Sequence, residues 1–256
     1  AKRYKAGSQR RKQRRRNARA EHEGHGALVV FIHPMEVIRC TTDTISEEII
    51  QRVVWVLSRG GVAMLPADTL YALCANALNE KDVRHVFRIK GRPEQKPVPV
   101  GVRDHRWAEE LAYVNTRQSA FLKAVWPGPV SVILESRDIV PAVVTAGSGT
   151  VALCAAAAPV VDAVLHAFGY PLTLMSANIS GQESFRDVER ILESFSRLKP
   201  DIVVDVGALP FSAPSTIVDL TGAHPRIARV GAAKPEDLLR TFSLITDATH
   251  AHGNHS

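Results

Sequence analysis

The feature that most constrains this chain is an alternation of two periods. VAML, VPVGV, VSVIL, VALC, PLTLM and IVVDV are short, largely apolar runs of strand length, and the segments between them carry apolar residues at helical spacing. TISEEIIQRVVWVLSRGG opens on a capping-box arrangement of Thr44 with Glu47, lines up Ile49, Ile50, Val53, Val54 and Leu57, and stops at Gly60 and Gly61. NEKDVRHVFRIK gives a second helix, with Asn79 as cap and Val83, Val86 and Phe87 inward. NTRQSAFLKAVW, APVVDAVLHAFG, RDVERILESFSRL and KPEDLLRTF repeat the pattern, the last with Pro235 in its first turn. STIVDL and RIARV add strands. The pattern predicts an α/β domain over about residues 43–243, with a twisted, open, mainly parallel or mixed sheet flanked by helices.

The rest of the 256 residues divides by charge. The first nineteen hold ten of the 32 Lys and Arg and no acid, which leaves 22 basic against 26 acidic residues elsewhere. The net charge of +6 therefore belongs to an arm on a mildly acidic body. Residues 1–42 are read as basic arm and linker, and 244–256 as a loose, His-containing tail. Arg10, Arg11, Lys12, Arg14, Arg15 and Arg16 are candidate RNA contacts, because each phosphate neutralised adds salt-dependent affinity. A targeting segment or a solvated tail are the alternatives.

Cys40, Cys74 and Cys154 form no CxxC pair, which suits a reducing compartment, cytoplasmic or organellar (mitochondrial). No apolar run reaches the roughly 18 residues that span a bilayer, so no membrane role is expected. No metal site is expected either. His22 and His25 lack the HExxH spacing, and His250, His252 and His255 read as tail.

In open α/β sheets ligands collect where strands end and polar loops begin. Four exits carry such chemistry: PADTLY after VAML, KGRPEQKP before VPVGV, SANISG after PLTLM, and PST before IVDL. Together they offer Lys90, Arg92 and Lys96 as cations, with Thr69, Ser176, Asn178 and Ser215 as hydrogen-bond partners, a set that suits a polyanion with a polar head. No GxxxxGK[ST] or GxGxxG occurs, so a nucleotide would be held by side-chain cations rather than a Gly-rich cradle. Taken singly, each loop is more often a turn or a cap than a site.

In order along the chain, PADTLYAL, KGRPEQKP, WPGP, TVALCAA, SANISG, PSTIVDL and RVG resemble the blocks of the YrdC/Sua5 family, the threonylcarbamoyl-AMP synthases. The resemblance runs from about Ile45 to Leu239 and leaves the arm outside. It implies a twisted α/β sheet with a concave polar pocket. It also implies that ATP, L-threonine and bicarbonate yield threonylcarbamoyl-AMP and pyrophosphate, in support of a tRNA modification. Carried onto matching positions, Arg92, Lys96, Thr150, Asn178, Ser184 and Arg229 would bind ATP, and Thr69, Ser176 and Ser215 would bind threonine. Lys90 and Arg92 would be the catalytic cations, and Mg²⁺ would be held mainly by the phosphates.

The chain departs from the family at Ala67, which replaces Thr, at Ala72, which replaces Gly, and at Ala156, which replaces Pro. Most consequentially, Cys154 replaces an Arg associated with threonine. Arg103 or Arg137 could substitute for that charge. Two readings follow: a nucleotidyltransferase of this type, working or impaired, or a non-catalytic relative serving as an RNA-binding component of a ribosome-like ribonucleoprotein. A weaker third is a nucleotide-binding relative acting on another acid. A thiol nucleophile at Cys154 is a further possibility, though a buried strand cysteine is commoner.

Overall fold

The computed structural model describes residues 35–195 and 197–253, with 246–253 described by backbone alone. The basic arm, His22, His25 and His255 lie outside the described residues. Strand β1 (Glu36–Arg39) and a 3-10 turn (Thr42–Thr44) lead into helix α1 (Glu47–Ser58). A hairpin of β2 (Ala63–Pro66) and β3 (Tyr71–Cys74) follows, then α2 (Glu80–Lys90), β4 (Pro99–Gly101), α3 (His105–Leu111) and α4 (Thr116–Val125). Next come β5 (Val130–Glu135), the single turn α5 (Ala142–Thr145), β6 (Thr150–Cys154) and α6 (Pro159–Phe168). The last elements are β7 (Leu172–Thr173), β8 (Met175–Ser176), α7 (Val188–Ser194), β9 (Ile202–Asp205), β10 (Thr216–Asp219), β11 (Arg226–Arg229) and α8 (Pro235–Gly253).

The mixed α/β architecture is realised as two mixed sheets, β1-β9-β2-β3-β8 and β11-β10-β5-β6-β4-β7. PLTLM joins them: Leu172 pairs with Gly101 in one sheet, and Met175 pairs with Leu73 in the other. The strand that delivers SANISG therefore changes sheets at Leu174, which places that loop between the two.

Strand alternation sorts the core. Ala63 and Leu65 pack with Ile50, Val53 and Leu57 of α1 and with Val160, Val161, Val164 and Leu165 of α6. Met64, Tyr71 and Leu73 turn to the other face, in one cluster with Val132, Leu134, Leu153 and Val218. Each such buried aliphatic contributes about 1.5–3 kcal/mol over exposure, as an upper estimate. Among the described residues no helix is long and apolar enough to cross a membrane.

Several boundaries differ from expectation. The folded body begins before residue 43, because Glu36–Arg39 pairs in parallel with β9; its EVIR alternation is polar on one face, which reads as linker. The α1 cap is Ser46, whose Oγ accepts from Ile49 N at 3.3 Å, and Thr44 instead closes a capping box with Thr41 on the preceding turn. The PADTLYAL exit contains a strand, because Tyr71–Cys74 folds back antiparallel on β2. Its four residues are all buried, so no alternation marks it. Helix α8 runs through much of the expected loose tail to Gly253. Phe242 meets Phe121 edge-on at 5.5 Å and Ile245 packs on the core, so the apolar period outlasts the segment read as helical.

Candidate functional site

Residues 67–70 are the turn of the β2–β3 hairpin, closed by Ala67 N donating to Leu70 O at 3.2 Å. This turn carries Asp68 and Thr69 to a cavity of about 280 Å³. Tyr71 anchors the turn. Its ring is fully buried, its hydroxyl donates to Gly207 O at 2.7 Å and accepts from Val206 N at 3.0 Å, and burial pushes its pKa up to about 12. It is a protonated strut that ties the hairpin to the loop after β9.

The second wall begins at the end of α2. Gly91 takes a left-handed conformation (φ 57°) as the helix C-cap, a position that disfavours a side chain, and turns the chain into the KGRP loop. Arg84 holds that loop through Glu94, and Arg92 Nη2 donates to Pro97 O at 2.7 Å. Arg92 faces the cavity. Its buried Nε has no hydrogen-bond partner, and burial lowers its pKa. A buried guanidinium edge without a partner is costly.

Lys90 behaves differently. Only 4% exposed, its ammonium donates to Ser176 O at 2.6 Å, Asn178 O at 2.9 Å and Asn178 Oδ1 at 2.5 Å, with Ser176 Oγ at 3.3 Å. Three N–H donors are thus shared among four acceptors. Lys90 staples the KGRP loop to the SANISG loop, and Ser180 N, donating to Lys90 O at 2.8 Å, reinforces the join. Burial, with the charge of Arg92, lowers its pKa to about 8.

The third wall is Ser215 and Arg229. Arg229 Nε and Nη2 both donate to Ser215 O, at 3.2 and 2.7 Å, and burial lowers its pKa. This requires β11 to approach the PST segment closely. Gly231 allows it: a Cβ there would lie 2.0 Å from Pro214 O.

The structure therefore brings Thr69, Lys90, Arg92, Ser176, Ser184, Ser215 and Arg229 around one cavity. It does not bring Lys96, Thr150 or Asn178 to its lining. Lys96 lies in the KGRP loop beyond Arg92. Thr150 shares a face with Cys154 but sits about 13 Å along β6 at ~3.3 Å per residue. Asn178 is 7% exposed and its amide is consumed behind the wall. Its Oδ1 serves Lys90 and Ser176 Oγ, while Nδ2 donates to Ile179 O and Gln182 O.

Ser131 and Leu174 line the cavity although sequence reasoning passed them over. Ser131 carried a signal, as the lone hydroxyl in VSVIL. Cys154 also lines the cavity, with its pKa pushed up to about 12 by burial and by Asp68, and partly drawn back by Ser131. That is the opposite of an activated nucleophile. Neither expected substitute for a cation there reaches the cavity. Arg103 stacks on Trp107 at 4.1 Å. Arg137 lies over Tyr113 at 4.7 Å and donates to Ala112 O.

Among the described residues no group of three His, Cys, Asp or Glu is placed to hold a metal ion. Asp68 is the one carboxylate of the cavity lining.

Comparison with known proteins gives this cavity its context. The profile of the Sua5/YciO/YrdC family, described as telomere recombination, matches residues 55–231. The threonylcarbamoyl-AMP synthase of Pyrococcus abyssi is 31% identical over 212 residues, which cover 82% of this chain and 62% of that protein. This chain thus spans less than two thirds of that relative's length. A putative threonylcarbamoyl-AMP synthase of Methanocaldococcus jannaschii is 37% identical over 161 residues, covering 63% of this chain and 75% of that protein. In three dimensions, the crystal structure of P. abyssi Sua5 complexed with L-threonine superposes with a TM-score of 0.74 at 30% identity, over 81% of this chain and 60% of that one. With a profile match over more than half its length, and with a shared fold, the chain belongs to the Sua5/YciO/YrdC family.

Proposed function

We propose that this chain is an ATP-using synthase of the threonylcarbamoyl-AMP type. The observation that carries the reading is the convergence of Arg92, Arg229 and the Lys90 staple on one cavity that also holds the hydroxyls of Thr69, Ser176, Ser184 and Ser215. The relatives named threonylcarbamoyl-AMP synthase support it.

In this reaction the amine of threonine joins the carbon of bicarbonate with loss of water. A carbamate oxygen then bonds to the α-phosphorus of ATP, and the bond to the β-phosphate oxygen breaks, so that pyrophosphate leaves with its electron pair. Negative charge grows on the phosphate oxygens, where Arg92 and Arg229 oppose it as fixed cations. Lys90 holds two walls in register. Ser215, clamped by Arg229, and Thr69, on its hairpin turn, orient the amino substrate. Mg²⁺ would be held mainly by the phosphates and would supply further charge neutralisation. The product would serve tRNA modification.

Purified protein with ATP, bicarbonate and threonine is expected to release pyrophosphate only when threonine is present. No release beside intact ATP binding would favour a second reading, a non-catalytic nucleotide-binding member acting within a ribonucleoprotein. A cysteine in the cavity wall at position 154, with neither Arg103 nor Arg137 among the lining residues, is the observation on its side. In either reading the arm, through Arg10, Arg11, Lys12, Arg14, Arg15 and Arg16, is proposed to contact RNA. Deleting residues 1–19 should weaken RNA binding and flatten its salt dependence; unchanged binding would remove the arm from this role. Three free cysteines suit a reducing compartment, cytosolic or organellar.

A further inference from the structure

A second cavity, of about 620 Å³, lies where the first turn of α2 meets the end of α1. It shares no lining residue with the first. Asp82 lines it, eight residues before Lys90 and so about 12 Å away along the helix.

Asp82 is only 6% exposed, and among the described residues its carboxylate has neither a hydrogen bond nor an ion pair. The helix does not need it as a cap, because Asn79 Oδ1 already accepts from Lys81 N at 3.0 Å. Gly60 makes room for it: a Cβ there would lie 2.9 Å from Asp82 Oδ1. Burial pushes its pKa up to about 6, against the pull of Lys81, so the group is charged at pH 7. A buried charge kept without a partner is costly.

The rest of the lining indicates what would answer it. Leu57 and Phe168 are apolar and buried, and the half-exposed ring of Tyr170 stands edge-on to Phe168 at 5.3 Å. Asn76 and Asn79 commit their Oδ1 atoms to Leu78 N and Lys81 N, which leaves each Nδ2 as a donor. Arg59 and Lys81 are exposed and, among the described residues, outside any ion pair. These two cations outnumber the one acid, so a positively charged ligand is disfavoured. The occupant must instead bring neutral N–H donors for Asp82, acceptors for the amides, a flat apolar body and a negative charge.

A guanine nucleotide meets all four requirements. Its N1–H and 2-amino group donate side by side, O6 and N7 accept, the base is planar, and the phosphate is anionic. We propose that this second cavity binds a guanine nucleotide, with the donor edge of the base on Asp82, the ring beside Tyr170 and the phosphate at Lys81 and Arg59.

The test is calorimetric titration of GMP, IMP and AMP into the wild type, and of GMP and IMP into Asp82→Asn, Tyr170→Ala and Arg229→Ala. IMP lacks the 2-amino group, and N1 of AMP accepts where that of GMP donates. The wild type is expected to bind GMP about tenfold or more tighter than either. Asp82→Asn should erase that preference. It should also fold at least as stably as the wild type, since it removes an unpaired buried charge. Tyr170→Ala, at a half-exposed position, should weaken GMP binding about tenfold, and it decides the matter should Asp82→Asn fail to fold.

GMP binding by Arg229→Ala should equal that of the wild type. Loss of binding there would assign GMP to the first cavity and overturn the inference. So would no GMP binding by the wild type, equal affinity for the three nucleotides, or an affinity unmoved by both Asp82→Asn and Tyr170→Ala. Each of these results leaves the synthase reading standing, because that reading is tested by threonine-dependent pyrophosphate release.

Discussion

Lys90 shows how one residue can be indispensable to a site without offering its charge freely. Replacing it with Met would remove the ammonium donor from Asn178 O and leave Ser176 O and Asn178 Oδ1 with only Asn178 N and Ser176 Oγ as donors. The expected cost is about 3 kcal/mol of stability, read as a fall in the denaturant midpoint.

Its pKa of about 8 adds two pH effects of opposite sign. Above pH 8 the cavity loses a positive charge, so ATP affinity should fall between pH 7 and 9. The unfolded chain keeps the lysine proton to about 10.4, so between those values the unfolded state binds more protons. Over that window the wild type should therefore gain stability relative to Lys90→Met as pH rises. Titrations with ATP and denaturant at three pH values check both slopes, and flat profiles in both would remove Lys90 from the account.

At the scale of elements, the site depends on close approaches that a strand diagram does not show. Gly231 lets the end of β11 lie against Pro214 and Ser215, where its N–H donates to Thr216 Oγ1 at 3.0 Å and Ala232 N donates to Pro214 O at 2.8 Å. Gly231→Ala places a methyl group in that backbone contact. It should separate Arg229 from Ser215 and weaken ATP binding by about tenfold or more, at a stability cost of about 1–3 kcal/mol. Calorimetry of the variant checks this, and wild-type affinity would show that the β11 clamp is dispensable.

The same scale explains what the sequence made legible. The polar exits could be read because each follows a short apolar run, and α2 could be read from Asn79, Val83, Val86 and Gly91. The switch of PLTLM between sheets could not, because two paired residues on each side leave no periodicity. Motif matching could not show that Asn178 would spend its amide behind the wall, or that Thr150 would stand at the far end of β6. Burial partners come from segments distant in the chain, such as the 88 positions between Lys90 and Asn178.

For the whole molecule, two sheets joined at Leu174 hold three loop systems around one hollow: the hairpin turn, the KGRP–SANISG pair and the PST–β11 clamp. Their guanidiniums come from distant parts of the sequence, Arg92 in the loop after α2 and Arg229 at the end of the edge strand β11. An anion bound between them should stabilise the assembled fold, because it binds a site that only the folded chain assembles.

The most direct measurement is therefore calorimetric titration of ATP into the wild type, Arg92→Ala and Arg229→Ala at one salt concentration. The account predicts binding by the wild type and a loss of about ten- to a hundredfold in each variant, the worth of about 1.5–3 kcal/mol for a charged hydrogen bond. Undiminished ATP affinity in both variants, or no binding by the wild type, would contradict it.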